Sequence, residues 1–506
     1  MNLIEHLVKS SGLCVVDDAI KGKRTVAERG FKRGDVLLSI PPLYSFPLGT
    51  EPATSPHPGP ARCVLCFLPL PPRYPRCSQC RQAAYCSTLC LSKHWSQRHY
   101  FECRLTDQQQ RDKAAMKLKP EFRAYLQMTI GIGAMLQYVA STVPAKVPEW
   151  LHVQASAWYQ LVSHRQDHSQ LILKQYGEIA RVIAAANVGP LRLSSDGEED
   201  LEDAIVTALC RSGCNNFATY DLHRPQMSGY MCSPLVSLLF NHSCLPNAVF
   251  VFSDGMQVVR ALEDIDPGDE ITLTYTDSLL PHNERQKRLV EVYFFSCSCK
   301  KCTHSTIRGQ IDELMSRALE VSTHMPKLLP TDFTRSPAID PWVMQLVGLF
   351  ASFILETSDE LEQKMLEAIS TTNACDMSFA AYQHWLECQD ECLDHLSRGS
   401  TDTNMMMWAC ISSLHVLAFY ILAYPPYHSL VGFQCLETAK LLWNTLVTST
   451  SIPDHFQKVV CKAQVTRLAQ CAQNILKVSA DPTVSTASTP SISSQIELLY
   501  NQQNAS

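Results

Sequence analysis

The sequence lacks three features, and each absence excludes a class of protein. It has no excess of positive charge, since 43 Lys and Arg residues stand against 49 Asp and Glu residues and the net charge is -6. Non-specific binding of nucleic acid over the whole surface is therefore excluded. The first residues form neither a basic nor an apolar segment, and Asn2 excludes the myristoylation pattern, so we expect no export and no lipid anchor. The most apolar stretch, residues 409–424, is interrupted by two serines and His415, which predicts a buried helix and no membrane span.

What the chain does have is length and thiols. Its 506 residues predict about three domains, and 46% hydrophobic with 18% charged residues is typical of a globular protein. Its 22 cysteines, without an export signal, are expected to stay reduced, where clustered thiols bind metal more often than they form disulfides. The cysteines that stand singly among apolar neighbours are expected to be core residues: Cys14, Cys210, Cys232, Cys375, Cys410 and Cys435.

One cysteine group lies between residues 63 and 103 and holds eight soft ligands in four closely spaced pairs. They are Cys63, Cys66, Cys77, Cys80, Cys86, Cys90, His99 and Cys103. Eight such ligands make two tetrahedral zinc sites, and the metal would replace the hydrophobic core that so short a segment lacks. His94 competes with His99 for a ligand position. We favour His99, because a helix would place it on the same face as Cys103, four residues later.

A second group combines a polar motif with later thiols. Residues 241–247 read Asn-His-Ser-Cys-Leu-Pro-Asn, and the alternating segments 249–252 and 256–262 predict a hairpin around residues 253–255. A turn at residues 266–270 leads into a predicted strand at 271–275. Cys297, Cys299 and Cys302 then supply three thiols for a site that needs four ligands. Cys244 is the candidate for the fourth, and a shared metal ion would draw Tyr293 and Phe295 against Asn241 and His242.

The eight-ligand segment, with Tyr85 and Trp95, resembles a MYND finger. The resemblance implies interleaved sites, one held by Cys63, Cys66, Cys86 and Cys90 and the other by Cys77, Cys80, His99 and Cys103. The spacing from Trp95 to His99 is one residue longer than is common in the family. The resemblance also implies binding of proline-rich peptides by Gln82 and Trp95, although Trp95 could instead pack over the metal sites. A local basic patch leaves weak DNA binding open: Arg73, Arg76, Arg81, Lys93 and Arg98.

The polar motif, the later tyrosine and the last three thiols together resemble a SET domain, and the order of segments resembles the SMYD family of protein lysine methyltransferases. This implies an α+β protein, with a split SET β-fold and pseudoknot, a MYND zinc finger insert, a post-SET zinc site and an all-helical, TPR-like C-terminal domain. The implied segments are 1–46 and 213–277 (SET), 47–62 (Pro-rich linker), 63–103 (finger), 104–212 (helical insert), 278–303 (post-SET), 304–480 (helical domain) and 481–506 (disordered tail).

The resemblance implies transfer of methyl groups from S-adenosylmethionine to lysine side chains of histone or other proteins. Tyr275 is implied as the catalytic residue, in a substrate channel with Phe217 and Tyr293. The implied cofactor-binding residues are Gly22, Lys23, Arg24, Asn215, Asn241, His242, Tyr293 and Phe295. Three zinc ions are implied, the third held by Cys244, Cys297, Cys299 and Cys302. The expected location is the cytoplasm and nucleus, and a heat-shock chaperone is an implied partner of the C-terminal helices.

Two departures from the family pattern keep an alternative open. Arg24 stands where the family usually has a second glycine, and the run from Pro234 to Asn241 is one residue longer than usual, which a bulge could absorb. The alternative function is a scaffold or transcriptional corepressor that acts through the finger and the helical tail with weak or no methyltransferase activity. At single residues, Asn215 could be a helix cap, and residues 21–24 could be a solvated basic turn.

Overall fold

The protein was analysed as a computed structural model. It describes residues 3–19, 21–48, 61–103, 105, 107–195, 200–220, 227–303, 305–321, 339–356, 360–370, 372, 374–449, 452–480, 494–495, 497–499 and 501. The side chains of Gln108, residues 317–321, Ala374, Cys375 and His455 lie outside this description. Most of the expected linker, part of the acidic stretch before residue 200 and most of the expected tail also fall outside the described residues, so those expectations stay predictions.

The strands are short, and they come from both ends of the N-terminal three hundred residues. They are β1 (Leu13–Asp18), β2 (Gly22–Ala27), β3 (Val36–Ile40), β4 (Tyr44–Pro47), β5 (Asn216–Tyr220), β6 (Met227–Cys232), β7 (Asn241–His242), β8 (Ala248–Ser253), β9 (Met256–Ala261) and β10 (Thr272–Leu273). Within the described residues they form the sheets β1-β2, β3-β9-β8, β4-β6-β5 and the parallel pair β7-β10. Segments far apart in sequence thus complete the same sheets.

Helices form most of the described residues in the middle of the chain and in its C-terminal part. They are α1 (Leu3–Ser10), α2 (Thr88–His94), α3 (Tyr100–Glu102), α4 (Gln108–Met116), α5 (Arg123–Ser141), α6 (Glu149–Gln160), α7 (Gln170–Ala184), α8 (Leu201–Gly213), α9 (Pro234–Leu239), α10 (His282–Tyr293), α11 (Ile307–Val321), α12 (Pro341–Glu356), α13 (Leu361–Ser370), α14 (Phe379–Ser397), α15 (Thr403–Ala423), α16 (Ser429–Thr448), α17 (Asp454–Gln457) and α18 (Lys462–Ser479). Single turns of 3-10 helix lie at Pro120–Phe122, Pro144–Lys146, Arg165–Asp167 and Ala374–Met377, and a π-helical turn lies at Trp95–His99.

The predicted hairpin is present as β8 and β9. Asp254 and Gly255 both have positive φ, 51° and 79°, which is the backbone of the two-residue turn whose twist matches that of its flanking strands. The strand expected at residues 271–275 is shorter, and only β10 pairs with β7. The parallel β7-β10 pair is the part of the backbone on which the expected pseudoknot depends.

The cysteine-rich finger, residues 61–103, packs directly on the strands. A Cβ at Gly229 would lie 2.5 Å from the ring of Phe67, so only glycine lets the finger approach β6 this closely. Phe67 also contacts Phe252 of β8 at 4.6 Å between ring centroids, and Lys93 pairs with Asp254 at 2.7 Å. The finger therefore packs on the β8-β9 hairpin, and its Lys93 neutralises the charge of Asp254 in the hairpin turn.

The run from Pro234 to Asn241 contains no bulged strand. Residues 234–239 form α9 instead, with proline at the start of the helix, where its fixed φ is already helical and its missing N–H costs nothing. The extra residue is absorbed in a helical turn, so the expected bulge is wrong. Thr25 of β2 donates a hydrogen bond to the Leu239 carbonyl at the end of this helix.

The described C-terminal residues are mostly helical, as the resemblance implied, and α15 is the centre of these helices. It is long and apolar enough to span a membrane by length and composition, yet 94% of its 18-residue apolar window is buried inside the protein. It contacts α12, α14 and α16, and Val249 and Leu262 of the sheet region join the same core. These residues link the helical core to the strands, which also have a hydrophobic cluster of their own.

His428 should make the stability of this helical region depend on pH. It is buried, it caps α16 by accepting from Leu430 N at 3.3 Å, and burial lowers its pKa to about 4 from 6.5. Because the unfolded chain binds this proton more readily, stability is lost as the pH falls below the unfolded pKa and the loss is complete only below the folded one. The His428→Asn variant keeps a capping side chain. Between about pH 7 and about pH 5, we expect its free energy of unfolding to fall by about 2 kcal/mol less than that of wild type. Urea unfolding at both pH values measures this, and equal losses in the two proteins would contradict it.

Candidate active site and metal centres

The polar motif is held in place by its own last residue. The Asn247 amide donates to the Glu270 carbonyl at 2.9 Å, and its oxygen accepts from Thr272 N at 2.9 Å. These bonds satisfy backbone groups of a strand that has β7 as its sheet partner. Ser243 N donates to the Leu273 carbonyl at 2.8 Å and extends the pairing by one residue. Asn241 and His242 are therefore fixed against residues 270–273.

The His242 ring connects a metal-ligand thiol to the predicted catalytic tyrosine. Tyr275 N donates to Nδ1 at 2.9 Å, and a backbone N–H can only donate, so Nδ1 is the acceptor and Nε2 carries the proton. Nε2 lies 3.2 Å from Sγ of Cys244. Both ring nitrogens are thus used within the protein, which leaves the backbone of His242 for any contact with a cofactor.

Tyr275 stands in an aromatic cluster. Its ring centroid is 5.0 Å from that of Tyr293, 5.3 Å from that of His242 and 6.3 Å from that of Phe295. The hydroxyl donates to the Phe240 carbonyl at 2.5 Å, and burial raises the pKa of the phenol, so it stays protonated at neutral pH. Since its proton is already donated, its oxygen is available as an acceptor for another group.

Asn241 is tied to β2 and to the turn before β10. Its Nδ2 donates to the Lys23 carbonyl at 2.7 Å and to Oε1 of Glu270 at 3.1 Å. Lys21 Nζ lies 2.5 Å from the other oxygen of that carboxylate. Glu270 was not predicted as a site residue, because its partners Asn241 and Lys21 lie 29 and 249 residues away in the sequence.

The remaining residues of the predicted cofactor site divide into two sets. Gly22 begins β2 with φ of 76°, the left-handed conformation that glycine adopts without strain, and Lys23 offers its carbonyl to Asn241. Arg24 instead points across the hairpin to Asp18, at 3.5 Å. Asn215 donates from Nδ2 to the Arg211 carbonyl at 2.8 Å at the end of α8, which is the helix-capping arrangement.

Of the predicted channel residues, Phe217 has a separate aromatic partner. It contacts Phe250 edge to face at 5.0 Å between centroids and packs against the core of the strands. Tyr293, at the end of α10, donates from its hydroxyl to the Tyr275 carbonyl at 3.0 Å. The two tyrosines are therefore locked to each other by a ring contact and a hydrogen bond.

A pocket of about 520 Å³ opens beside this cluster. It lies between the 3-10 turn of the helical insert and the segment after α10, and its lining residues are His164, Asp167, Val290, Phe294, Phe295 and Ser296. Phe294 has φ of 62° and stacks on His164 at 4.8 Å between centroids. Phe295 belongs both to this lining and to the aromatic cluster around Tyr275. An aromatic wall next to polar groups suits a planar base.

Among the side chains that the structure describes, three groups of four bring their ligand atoms within 4.8 Å of one another. They are Cys63, Cys66, Cys86 and Cys90; Cys77, Cys80, His99 and Cys103; and Cys244, Cys297, Cys299 and Cys302. The two sets in the finger are the interleaved ones that the resemblance implied, and the third includes the distant Cys244 that the sequence suggested. The clusters could bind zinc.

The distances within the groups fit a tetrahedral ion. Zinc–sulfur bonds of about 2.3 Å require sulfur atoms about 3.8 Å apart and, with a histidine ligand, a nitrogen about 3.5 Å from sulfur. The sulfur pairs Cys66–Cys86, Cys86–Cys90 and Cys66–Cys90 are 3.7, 3.4 and 4.0 Å apart. Cys77–Cys103 and Cys244–Cys302 are 3.7 and 3.5 Å apart. Nε2 of His99 lies 3.5 Å from Sγ of Cys80.

His99 reaches its group through the π-helical turn, which the sequence did not predict. A π turn accommodates one more residue than an α turn, and it occupies the Trp95–His99 segment that is one residue longer than expected. Trp95 is partly buried and lies edge-on to His99 at 6.0 Å between centroids. His94 is not in the ligand group. It is buried and contacts the Tyr85 hydroxyl at 3.0 Å.

The basic patch of the finger presents less charge than its sequence suggests. Arg98 is buried and pairs with Glu102 at 2.9 Å, and Lys93 pairs with Asp254. Arg76 lies over the ring of Tyr74 at 5.1 Å. Two of the five cations are therefore neutralised within the protein, which weakens the argument for DNA binding.

The third metal group is anchored by buried charges that the sequence did not reveal. Arg285 of α10 is fully buried and forms two bonds to Asp312 of α11, at 2.8 and 2.5 Å. Lys301, between two of the thiols, donates to the Ser278 carbonyl at 2.7 Å and to the Ala423 carbonyl at 2.8 Å. Tyr424 donates to Asp277 at 2.6 Å. The segment that carries the thiols is thereby fastened to the end of α15.

Comparison with known proteins agrees with this geometry. A family model for the SET domain matches residues 26–276. Histone-lysine N-methyltransferase ASHR1 of Arabidopsis thaliana is 31% identical over 58% of this chain and 55% of its own length. N-lysine methyltransferase SMYD2-B of Danio rerio is 28% identical over 59% and 64%, and human SMYD2 is 26% identical over 56% and 58%. The chain thus matches less than two thirds of the length of these relatives.

A solved structure of the SET domain of LSMT bound to lysine and AdoHcy aligns with 87% of this chain and 91% of that chain. Its TM-score is 0.28 and its sequence identity 10%, values at which no residue can be paired between the two proteins. The family model and the relatives carry the assignment instead. Residues 26–276 match the SET domain family, and the resemblance of the chain to SMYD-type SET methyltransferases is confirmed.

Proposed function

We propose that this protein is an S-adenosylmethionine-dependent protein lysine N-methyltransferase. The observation that carries the proposal is the aromatic cluster of Tyr275, Tyr293 and Phe295 around the His242 ring, which directly follows Asn241 in the chain. These residues come from three segments of the chain, since Tyr293 and Phe295 are only two residues apart. The His242 ring lies between Cys244 Sγ and Tyr275 N. The relatives named as lysine methyltransferases support the same activity.

The proposed cofactor site runs from β2 to the aromatic pocket. Asn241 and the backbone of residues 22–23 would hold the amino-acid end, and Phe295 with the pocket beside it would hold the adenosine. The cofactor supplies a methyl group on a positively charged sulfonium. Asn215 is hydrogen-bonded to the end of α8, so a direct role for it requires that this bond be exchanged. Arg24 is held near Asp18 by an ion pair at 3.5 Å, and its Nε makes no hydrogen bond within the described residues.

The residues around Tyr275 would prepare the lysine for reaction. A lysine ammonium has an ordinary pKa near 10.4 and must lose a proton before it can attack. Walls formed by Tyr275 and Tyr293 disfavour the charged form, because burial penalises charge. The Tyr275 oxygen, whose proton is held by the Phe240 carbonyl, can accept an N–H from the amine and aim its lone pair. A nitrogen–carbon bond then forms as the sulfur–carbon bond breaks, and the product ammonium releases its proton to water.

The finer architecture is also part of the proposal. The two ligand groups of residues 61–103 would make a MYND finger with two zinc ions, and the third group a post-SET zinc site. The antiparallel helices from α11 to α18 would form a TPR-like domain that accepts a chaperone, and exposed Gln82 with Trp95 would offer the finger to proline-rich peptides. Weak DNA contact is the least supported of these partners, because two of the five basic residues are neutralised internally.

The experiment that tests the activity uses the purified full chain loaded with zinc. Radiolabelled S-adenosylmethionine is incubated with histones and with a cell-lysate protein pool, and labelled lysines are located by mass spectrometry. We expect label on lysine in at least one pool and cofactor binding by calorimetry. Zinc-loaded protein that neither binds the cofactor nor labels any pool would contradict the proposal.

The pairing of Arg24 with Asp18, in place of an open glycine, is the observation that keeps the scaffold or corepressor alternative. It predicts cofactor binding weaker than about millimolar together with tight binding of proline-rich peptides. The Cys77→Ala variant, which removes one ligand of the second finger site, should then lose peptide binding. Wild-type protein that binds the cofactor much more tightly than millimolar would contradict the version of this alternative that has no methyltransferase activity.

A further inference from the structure

The side chain of Glu270 connects three segments of the proposed cofactor site. It lies in the turn before β10, and its backbone bridges to Val26 of β2. One carboxylate oxygen accepts from the Asn241 amide at 3.1 Å, and the other meets Lys21 at 2.5 Å. The side chain is only 16% exposed, so this carboxylate is largely shielded from solvent and held at a fixed place.

The contacts of Asn241 decide which way its amide faces. Both acceptors around Nδ2, the Lys23 carbonyl and the Glu270 carboxylate, can only accept. Rotating the amide by half a turn would place its oxygen against two other oxygens and leave both acceptors without a donor. Within the part of the chain that is described, Oδ1 of Asn241 has no recorded hydrogen-bond partner. The amide therefore presents an acceptor, and not a donor, on its open side.

We propose that Glu270 is a positioning residue that, by fixing the Asn241 amide, selects the α-ammonium of the cofactor. This inference rests on the proposed function. An acceptor recognises the α-ammonium group at the methionine end of S-adenosylmethionine and gains nothing from its carboxylate. Glu270 itself does not contact the ligand. It acts through Asn241, and its negative charge is balanced by Lys21.

The test measures binding and does not depend on turnover. Titration calorimetry on the zinc-loaded full chain compares S-adenosylhomocysteine, its decarboxylated form, which keeps the amine, and methylthioadenosine, which has neither amine nor carboxylate. The variants are Glu270→Ala and Glu270→Gln. The matched control is Asp264→Ala, which removes an exposed carboxylate that pairs with Lys32 at 2.7 Å and has no contact with Asn241.

We expect Glu270→Ala to weaken both amine-bearing ligands by about 10-fold or more, as loss of a fixed partner for a charged group does. Methylthioadenosine should change by less than about 2-fold. Glu270→Gln keeps an acceptor for Nδ2 and should stay within about 3-fold of wild type for every ligand. Asp264→Ala should bind all three as wild type does.

Equal weakening of all three ligands by Glu270→Ala would mean that the residue only supports the fold, and unchanged binding would mean that it does nothing here. Either result overturns the inference while leaving the methyltransferase proposal in place. Wild-type protein that binds none of the three ligands would overturn both.

Discussion

Replacing Tyr275 with phenylalanine should reduce methyl transfer by about 100-fold or more and leave cofactor affinity within about 3-fold of wild type. The hydroxyl is the only polar group of a ring otherwise surrounded by Tyr293, Phe295 and His242. Without it, the ring still fills its place, because the change removes a single oxygen. What is lost is the acceptor that would orient the substrate amine, together with the bond to the Phe240 carbonyl.

The measurement is the single-turnover rate of label transfer, with affinity for S-adenosylhomocysteine measured in parallel. Tyr220→Phe is the matched control, since Tyr220 is 54% exposed at the end of β5 and has no assigned part in transfer. Full activity in the Tyr275 variant would remove this residue from the proposed mechanism. Loss of affinity together with rate would mean that the change had disturbed the fold of the site.

Removing the third metal group should have the largest effect on stability. Four thiols from two distant segments meet there, and an ion that joins them contributes on the order of 10 kcal/mol to the folded state in small zinc domains. Without the ion, the thiols of Cys244 and of the 297–302 segment would be buried together with nothing to bind them. The His242 ring would also lose a fixed partner. We therefore expect Cys244→Ala to release one equivalent of zinc, to lose cofactor binding and to unfold at least 10 °C below wild type, about the shift that several kcal/mol produces.

Zinc content by mass spectrometry and thermal unfolding by circular dichroism check this expectation. Cys232→Ala is the control, because Cys232 is equally buried in β6 but outside the three ligand groups, so it should lose stability without losing zinc. A Cys244 variant that retains full zinc content and binds cofactor normally would contradict the role of this group. Chelation should reproduce the effect in wild type and should also unfold the finger.

Residues whose chemistry depends on spacing along the chain were predictable from the sequence. The closely spaced pairs of ligands in the finger are such a case, because a gap of a few residues lets two side chains reach one ion. Which pairs share a site was implied by the resemblance to the MYND finger. Cys244 could be added by counting, since three thiols leave a tetrahedral site incomplete. The apolar stretch at residues 409–424, interrupted by two serines and His415, likewise predicted the buried helix α15.

Other features depended on contacts that spacing does not encode. The His242 ring faces Cys244 and Tyr275 N, although its motif suggested a cofactor contact, because those two groups are brought beside it by the third thiol group. Glu270 lies in the turn at residues 266–270, but nothing in the sequence indicated a role for it. Its role became visible only from its contacts with Asn241 and Lys21. The helix that begins at Pro234 could have been predicted from the sequence, because proline at the first helical position is a recognised start signal.

The bond from Lys301 to the last carbonyl of α15 bears on how shortened versions of the protein should behave. A polypeptide cut after residue 303 would keep every thiol and every aromatic residue of the site, yet it would leave an ammonium group without the Ala423 carbonyl that shields it. Val249, Leu262 and Leu279, which pack into the helical core, would be exposed at the same cut. The first 303 residues are therefore not expected to be stable alone. Crystallisation or screening with a protein that lacks the C-terminal helices would use a molecule with part of its hydrophobic core exposed to solvent.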